Sequence, residues 1–130
     1  MAESIQFQLV SPERMLVDER VSEVQIPARE GYIGVMAGHA PLLSELMDGG
    51  VLTFKAGAEL KTLAVYGGFV EVQPGRVRVL ADAAEFGSEI DAEKAKARLA
   101  AALKASGGDT AALLAEIAKA QAAVDAGGKR

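Results

Sequence analysis

The segment SIQFQLV, residues 4–10, alternates apolar Ile5, Phe7 and Leu9 with Gln6 and Gln8, the period-two signature of a strand with one buried face. Short segments of the same kind recur at VSEVQIP (21–27), YIGVM (32–36), GVLTFKA (50–56), LKTLAVY (60–66), GFVEVQ (68–73) and RVRVLAD (76–82). Turn residues separate them. In VQPGRV, Pro74 sets φ for the first central position and Gly75 suits a positive φ at the second, which predicts a type II turn. Gly57 in KAGAE predicts a further hairpin, and Gly67-Gly68 a bend or bulge. Strands this short, spaced roughly 8 to 12 residues apart, predict a small antiparallel sandwich or barrel over residues 1–85.

From residue 86 to 130 the pattern is helical. Seventeen of the twenty-five alanines lie between residues 83 and 126, and Ala is the best helix former. One helix is predicted through DAEKAKARLAAALKA, with Asp91 as N-cap, acid early and Lys104 in the last turn; Gly107-Gly108 stops it. Asp109 or Thr110 caps a second, AALLAEIAKAQAAVDA, which Gly127-Gly128 ends before a basic tail of Lys129 and Arg130. Leu99 and Leu103, then Leu113, Ile117 and Val124, give each helix one thin apolar stripe. The expected fold class is therefore α+β, an antiparallel β-sandwich followed by an antiparallel two-helix hairpin.

Composition narrows the function classes. A chain of 130 residues with half its residues apolar and a quarter charged has the profile of one globular core. The net charge of −4, with no run of Lys or Arg, removes the electrostatic term that drives nucleic-acid binding. The absence of cysteine excludes disulfides, thiolate nucleophiles and cysteine-based metal sites. MAESIQFQLVSPER lacks the pattern of a signal peptide, and no window is apolar enough to insert in a membrane, so a cytosolic chain is expected. Charge divides unevenly: residues 1–85 hold 7 basic and 12 acidic groups, whereas residues 86–130 hold 7 and 6.

Candidate chemistry is sparse. The only imidazole, His39, has no G-x-S-x-G elbow or recognised nucleophile spacing near it, and no metal-ligand spacing recurs. No phosphate-binding G-x-x-x-x-G-K-[ST] is present. What stands out is EGYIGVMAGHAPLLSEL, residues 30–46, which gathers three glycines, a proline, the histidine and two adjacent leucines. Two readings stand on spacing alone: a tight turn that returns Leu42 and Leu43 to the core, or a protruding loop that shows Tyr32, Met36 and His39 to a partner.

Taken together, FQLVSPER, VQIPAREGYIGVMAGHAPLL, YGGFVEVQPGRVRVLAD and IDAEKAKARL resemble, in order and spacing, the epsilon subunit family of F-type ATP synthases, called delta in mitochondria. The resemblance spans nearly the whole chain and implies a noncatalytic rotor subunit of the central stalk. Its sandwich is expected to join the gamma subunit to the polar loops of the c-ring, on the cytoplasmic face of a bacterial membrane, peripherally and without insertion. The segment Glu30 to His39, including Gly31, Tyr32 and Met36, is expected to contact the c-ring loops, with Leu42 and Leu43 behind it as core.

The family's helical hairpin folds on the sandwich or extends toward the catalytic alpha/beta hexamer and restrains ATP hydrolysis. Some relatives bind regulatory ATP through Ile/Leu-Asp-x-x-Arg-Ala. Here the matching positions are Ile90, Asp91, Lys94 and Ala95, with Glu85 as the upstream acid. Lys94 replaces the motif's Arg, keeping the charge but losing the planar donor fork. Lys119 is the only cation of the second helix before the tail, so weak inhibition or none is expected. Two other classes compete: a small-ligand-binding sandwich with a helical lid, and a hydrolase using His39.

Overall fold

A computed structural model describes residues 4–105 and 108–127. The chain runs through β1 (Ile5–Val10), β2 (Met15–Val21), β3 (Glu23–Ala28), β4 (Gly31–Met36), β5 (Leu42–Glu45), β6 (Gly50–Ala56), β7 (Glu59–Val65), β8 (Gly68–Gln73), β9 (Arg76–Ala81) and β10 (Ala84–Phe86). A single 3₁₀ turn, Gly87–Glu89, then leads to α1 (Ala92–Lys104) and α2 (Thr110–Gly127). Two five-stranded sheets form the sandwich. Sheet A has the order β2-β1-β9-β8-β5, and sheet B the order β10-β7-β6-β3-β4.

The alternation read in the sequence sets which side chains meet. Ile5, Phe7 and Leu9 of β1 face Leu52 and Phe54 of β6 across the interior, and each is at most 1 % exposed. Phe7 and Phe54 stack at 5.2 Å between ring centroids with a 54° tilt, the offset geometry that aromatic quadrupoles favour. Seven of the eight strand pairings are antiparallel, as expected; the eighth, β1 with β9, is parallel and joins the first strand to the ninth.

Several local expectations need correction. The β8–β9 turn at Pro74 and Gly75 is not type II, since Gly75 is not in the left-handed region. The expected turns at Gly57, in the β6–β7 hairpin, and at Gly67-Gly68 do take positive φ, as do Gly31, Gly38 and Gly108. Gly68 is doubly constrained, because a Cβ there would also strike the carbonyl of Leu80 on β9. Leu42 and Leu43 are not core: they lie 36 % and 73 % exposed on β5, a four-residue edge strand with only β8 beside it. Leu46, at 1 % exposed, fills the core in their place.

The helices cap and dock as local chemistry dictates. The Asp91 carboxylate accepts from the Glu93 and Lys94 N–H groups at 3.0 and 3.1 Å, satisfying two donors that a helix start leaves open. Asp109 does the same for Ala111 at 3.0 Å. The expected stops at Gly107 and Gly128, and the tail residues Lys129 and Arg130, lie outside the described residues. α2 lies on the outer face of β6 and β7, and α1 packs on α2, giving three layers: helices, sheet B, sheet A. The docking face of α2 is wider than the predicted stripe: Leu113, Ile117 and Val124 are only partly buried, with Val124 packed against the docked cluster, and small residues fill the rest. Ala120, Ala122, Ala123 and Ala126 are buried, whereas Leu103 of α1 is 62 % exposed. Helix and sheet approach too closely for larger side chains.

Candidate functional site

Inward-facing residues along the strands of sheet A fix what its other face must show. Because Leu9, Val70 and Val79 point inward, their neighbours point out, and register aligns these across the sheet: Met15 beside Val10, Val10 beside Leu80, Leu80 beside Phe69. Met15, Leu80 and Phe69 are 51–52 % exposed. On β5 the residue in register with Phe69 is Glu45, and Leu43 stands one row below beside Glu71; Leu43 and Phe69 share a groove whose other walls are Arg29, Glu30, Ser44 and Glu45. No helix covers this face, and an aligned apolar row with a polar rim is the anatomy of a protein interface.

The remainder of the same face is polar. One row below, Asp18, Gln8, Arg78 and Glu71 stand side by side, with Gln8 Nε2 to Asp18 at 3.4 Å and Arg78 Nε to Gln8 at 3.3 Å. The apolar row thus sits at one end of the sandwich. That end also holds the β3–β4 turn with Arg29 and Glu30, where Arg29 reaches Glu45 at 3.1 Å and Asp48 at 3.3 Å.

The expected contact segment is a strand rather than a loop. Glu30 and Gly31 lie at the end that carries the apolar row, while Met36 and His39 lie at the opposite end of β4, roughly 17 Å away at a strand's rise of ~3.3 Å per residue. Tyr32 is half exposed, and its hydroxyl accepts from the Val51 N–H at 2.9 Å, which lays the ring along sheet B near Asp125 of α2. Met36 is 61 % exposed. His39 Nδ1 donates to the neighbouring Ala40 carbonyl at 2.7 Å, and the Ser44 hydroxyl donates to the Glu45 carbonyl. Each side chain bonds the carbonyl of the residue that follows it, His39 in the turn after β4 and Ser44 on β5, and the two do not pair with each other.

The second candidate constellation converges. Glu85, Ile90, Asp91, Lys94 and Ala95 line one hollow of about 260 Å³, joined by Glu89, Arg98 and Ala123. Arg98 was not singled out in the sequence, and Glu89 reads there only as part of an acid-rich helix start. The hollow's groups are largely engaged with the protein itself: Glu85 Oε2 accepts from the Tyr66 hydroxyl at 2.5 Å, Glu89 meets Arg14 at 3.1 Å, and Asp91 caps α1. Arg98 sits 5.9 Å above the Tyr66 ring and 3.9 Å from Glu116. Burial, then the hydrogen bond to Glu85 and that carboxylate's charge, push the Tyr66 hydroxyl well above the ordinary tyrosine pKa; Arg98 pulls the other way. Three carboxylates against two cations make a poor cradle for a polyphosphate. Among the described residues no metal-binding cluster of His, Cys, Asp or Glu forms.

Phe7, Leu9, Leu52 and Phe54 pack in the interior between the sheets, and the helices cover the outside of sheet B.

Comparison with known proteins agrees in sequence and in fold. Residues 4–87 match the family described as ATP synthase, Delta/Epsilon chain, beta-sandwich domain. The chain is 50 % identical over 99 residues to the ATP synthase epsilon chain of Solibacter usitatus, covering 76 % of this chain and 73 % of that one. It is 41 % identical over 110 residues to the epsilon chain of Koribacter versatilis, covering 82 % and 77 %. Among solved structures, a chain of the Euglena gracilis mitochondrial ATP synthase assembly of OSCP, F1 and c-ring superposes with a TM-score of 0.75 at 30 % identity, covering 90 % of this chain and 76 % of that one. A chain of the Tetrahymena thermophila mitochondrial ATP synthase central stalk and c-ring shares the fold, with a TM-score of 0.67 at 16 % identity and coverage of 98 % and 96 %.

Proposed function

The chain belongs to the delta/epsilon family of ATP synthase subunits, a noncatalytic component of the complex, and from that premise we propose that it bridges the gamma subunit and the c-ring in the central stalk. The observation that carries the reading is the uncovered apolar row on sheet A, Met15, Val10, Leu80 and Phe69, set at the end of the sandwich that also bears Glu30. A row of large side chains half open to water suits a lasting contact with gamma. The acidic and polar turn beside it suits the polar loops of the c-ring. Met36 and His39, a strand's length away, face a different partner surface from Glu30 and Gly31. No described helix is long and apolar enough to cross a membrane, and we place the subunit peripherally, on the cytoplasmic face of a bacterial membrane.

The helical hairpin is read as an arm with a weak regulatory role. Lys119 is the only cation in α2, and it lies 4.0 Å from Glu116 of the same helix, so an extended arm would bring little positive charge to the alpha/beta hexamer. The charge balance around Glu85, Asp91 and Lys94 argues against regulatory ATP in the docked form.

The test is association with purified gamma subunit. Phe69→Glu with Leu80→Glu should weaken binding by more than the roughly thirtyfold that corresponds to ~2 kcal/mol at an interface hot spot, with the fold intact by circular dichroism. Unchanged affinity would move the gamma contact off this face.

A further inference from the structure

The fully buried face that α2 turns to sheet B is made of methyl groups and backbone, with the larger Val124 only partly buried beside it. Ala120, Ala122, Ala123 and Ala126 are each at most 3 % exposed. Two glycines receive the helix backbone directly. A Cβ at Gly49, in the β5–β6 connection, would strike the Ala118 carbonyl, and one at Gly87 would strike the carbonyl of Ala126. These contacts fall eight residues apart on α2, about 12 Å along its axis, so they fix its tilt as well as its distance.

Above this seat runs a chain of polar contacts that crosses every layer of the junction. Tyr66, 8 % exposed at the end of β7, donates to Glu85 of β10 at 2.5 Å. Arg98 of α1 lies 5.9 Å over the Tyr66 ring, and its guanidinium reaches Glu116 of α2 at 3.9 Å. A cation over a desolvated ring is worth more than the half-exposed ion pair beyond it, so Tyr66 is the pivot. Glu85 and Asp91, which a bound ligand would need to address, are already occupied by protein donors.

We propose that the hairpin is held on the sandwich by an intramolecular clasp, Glu85–Tyr66–Arg98–Glu116, over a glycine seat at Gly49 and Gly87, and that docking therefore needs no nucleotide. The proposal deepens the reading of the hairpin as an arm and rests on it only for its regulatory meaning; the docking itself is a property of the chain alone.

Hydrogen exchange of the full chain, followed by mass spectrometry, tests it. Gly49→Val should speed exchange in α1 and α2 by about tenfold or more while β1 and β9 stay protected, because the hairpin opens as a unit separate from the core. Arg98→Ala with Tyr66→Phe should do the same to a smaller degree, and millimolar ATP with magnesium should leave the wild-type pattern unchanged. Undiminished protection of α2 in Gly49→Val overturns the seat, and undiminished protection in the double variant overturns the clasp. Added protection of α2 by ATP overturns the ligand-free docking. Should Gly49→Val expose β1 and β9 as well, the double variant decides alone. Gamma binding by the same variants separates the two readings: it should be retained while the hairpin is released, and its loss would fault the placement of the gamma contact rather than the clasp.

Discussion

Tyr66 shows how a single residue can couple two parts of the chain and carry a pH dependence. Its hydroxyl is raised above the ordinary value near 10, so the folded state favours the protonated form. Its contribution is complete below about pH 10 and is lost as pH climbs toward the raised folded-state value. The groups facing it are Glu85 of β10, Arg98 of α1, and Glu116 and Lys119 of α2, with Glu13 and Asp82 on the rim of the adjoining hollow. A spectrophotometric titration should show a tyrosinate step above the ordinary range that disappears in Tyr66→Phe. A wild-type chain with no such step would remove the buried hydrogen bond from the account. In the core, Phe54→Ala empties a position only 1 % exposed and should cost about 3–5 kcal/mol in denaturant unfolding. A cost well below that would mean the two sheets collapse onto the vacancy.

Elements with clear alternation, such as β1, β6, β8 and β9, were legible in the sequence, and so were both helices with their Asp91 and Asp109 caps. Three strands were not. β2 carries Asp18, Glu19 and Arg20 between its only buried residues, Val17 and Val21, so an edge position hid its alternation. β5 read as a turn because Gly38 and Pro41 precede it, and β10 is only three residues long. The alanine docking face was illegible for another reason: helical periodicity locates large side chains, while the approach distance is set by Gly49 and Gly87 on remote segments. At this scale, Asp91→Ala should cost ~1 kcal/mol through the lost N-cap and fray the first turn of α1, seen as faster exchange at Glu93 and Lys94. Unaltered exchange there would mean that packing, not the cap, holds the helix start.

Across the whole molecule, the two outer faces are used differently. Sheet B is covered by its own helices, and sheet A is left open with its apolar row at one end. That row could not be read from the sequence, where Met15, Val10, Leu80 and Phe69 are scattered single residues; the parallel pairing of β1 with β9 brings them into line. The stretch from Glu30 to His39 stood out in the sequence, but not as a strand that sets Glu30 and His39 at opposite ends of β4. Replacing residues 86–130 with a stop should leave gamma binding intact and change ATP hydrolysis by the assembled enzyme only slightly, since α2 brings little positive charge to a partner. A large rise in hydrolysis would show the hairpin to be a strong brake.

The most direct test of the bridging role is hydroxyl-radical footprinting of the chain, free and within the intact synthase. Met15 and Phe69 oxidise readily and are half exposed in the isolated subunit. The account predicts strong protection of both on assembly, with Leu80 following. Equal oxidation of Met15 and Phe69 in the free and assembled states would contradict it.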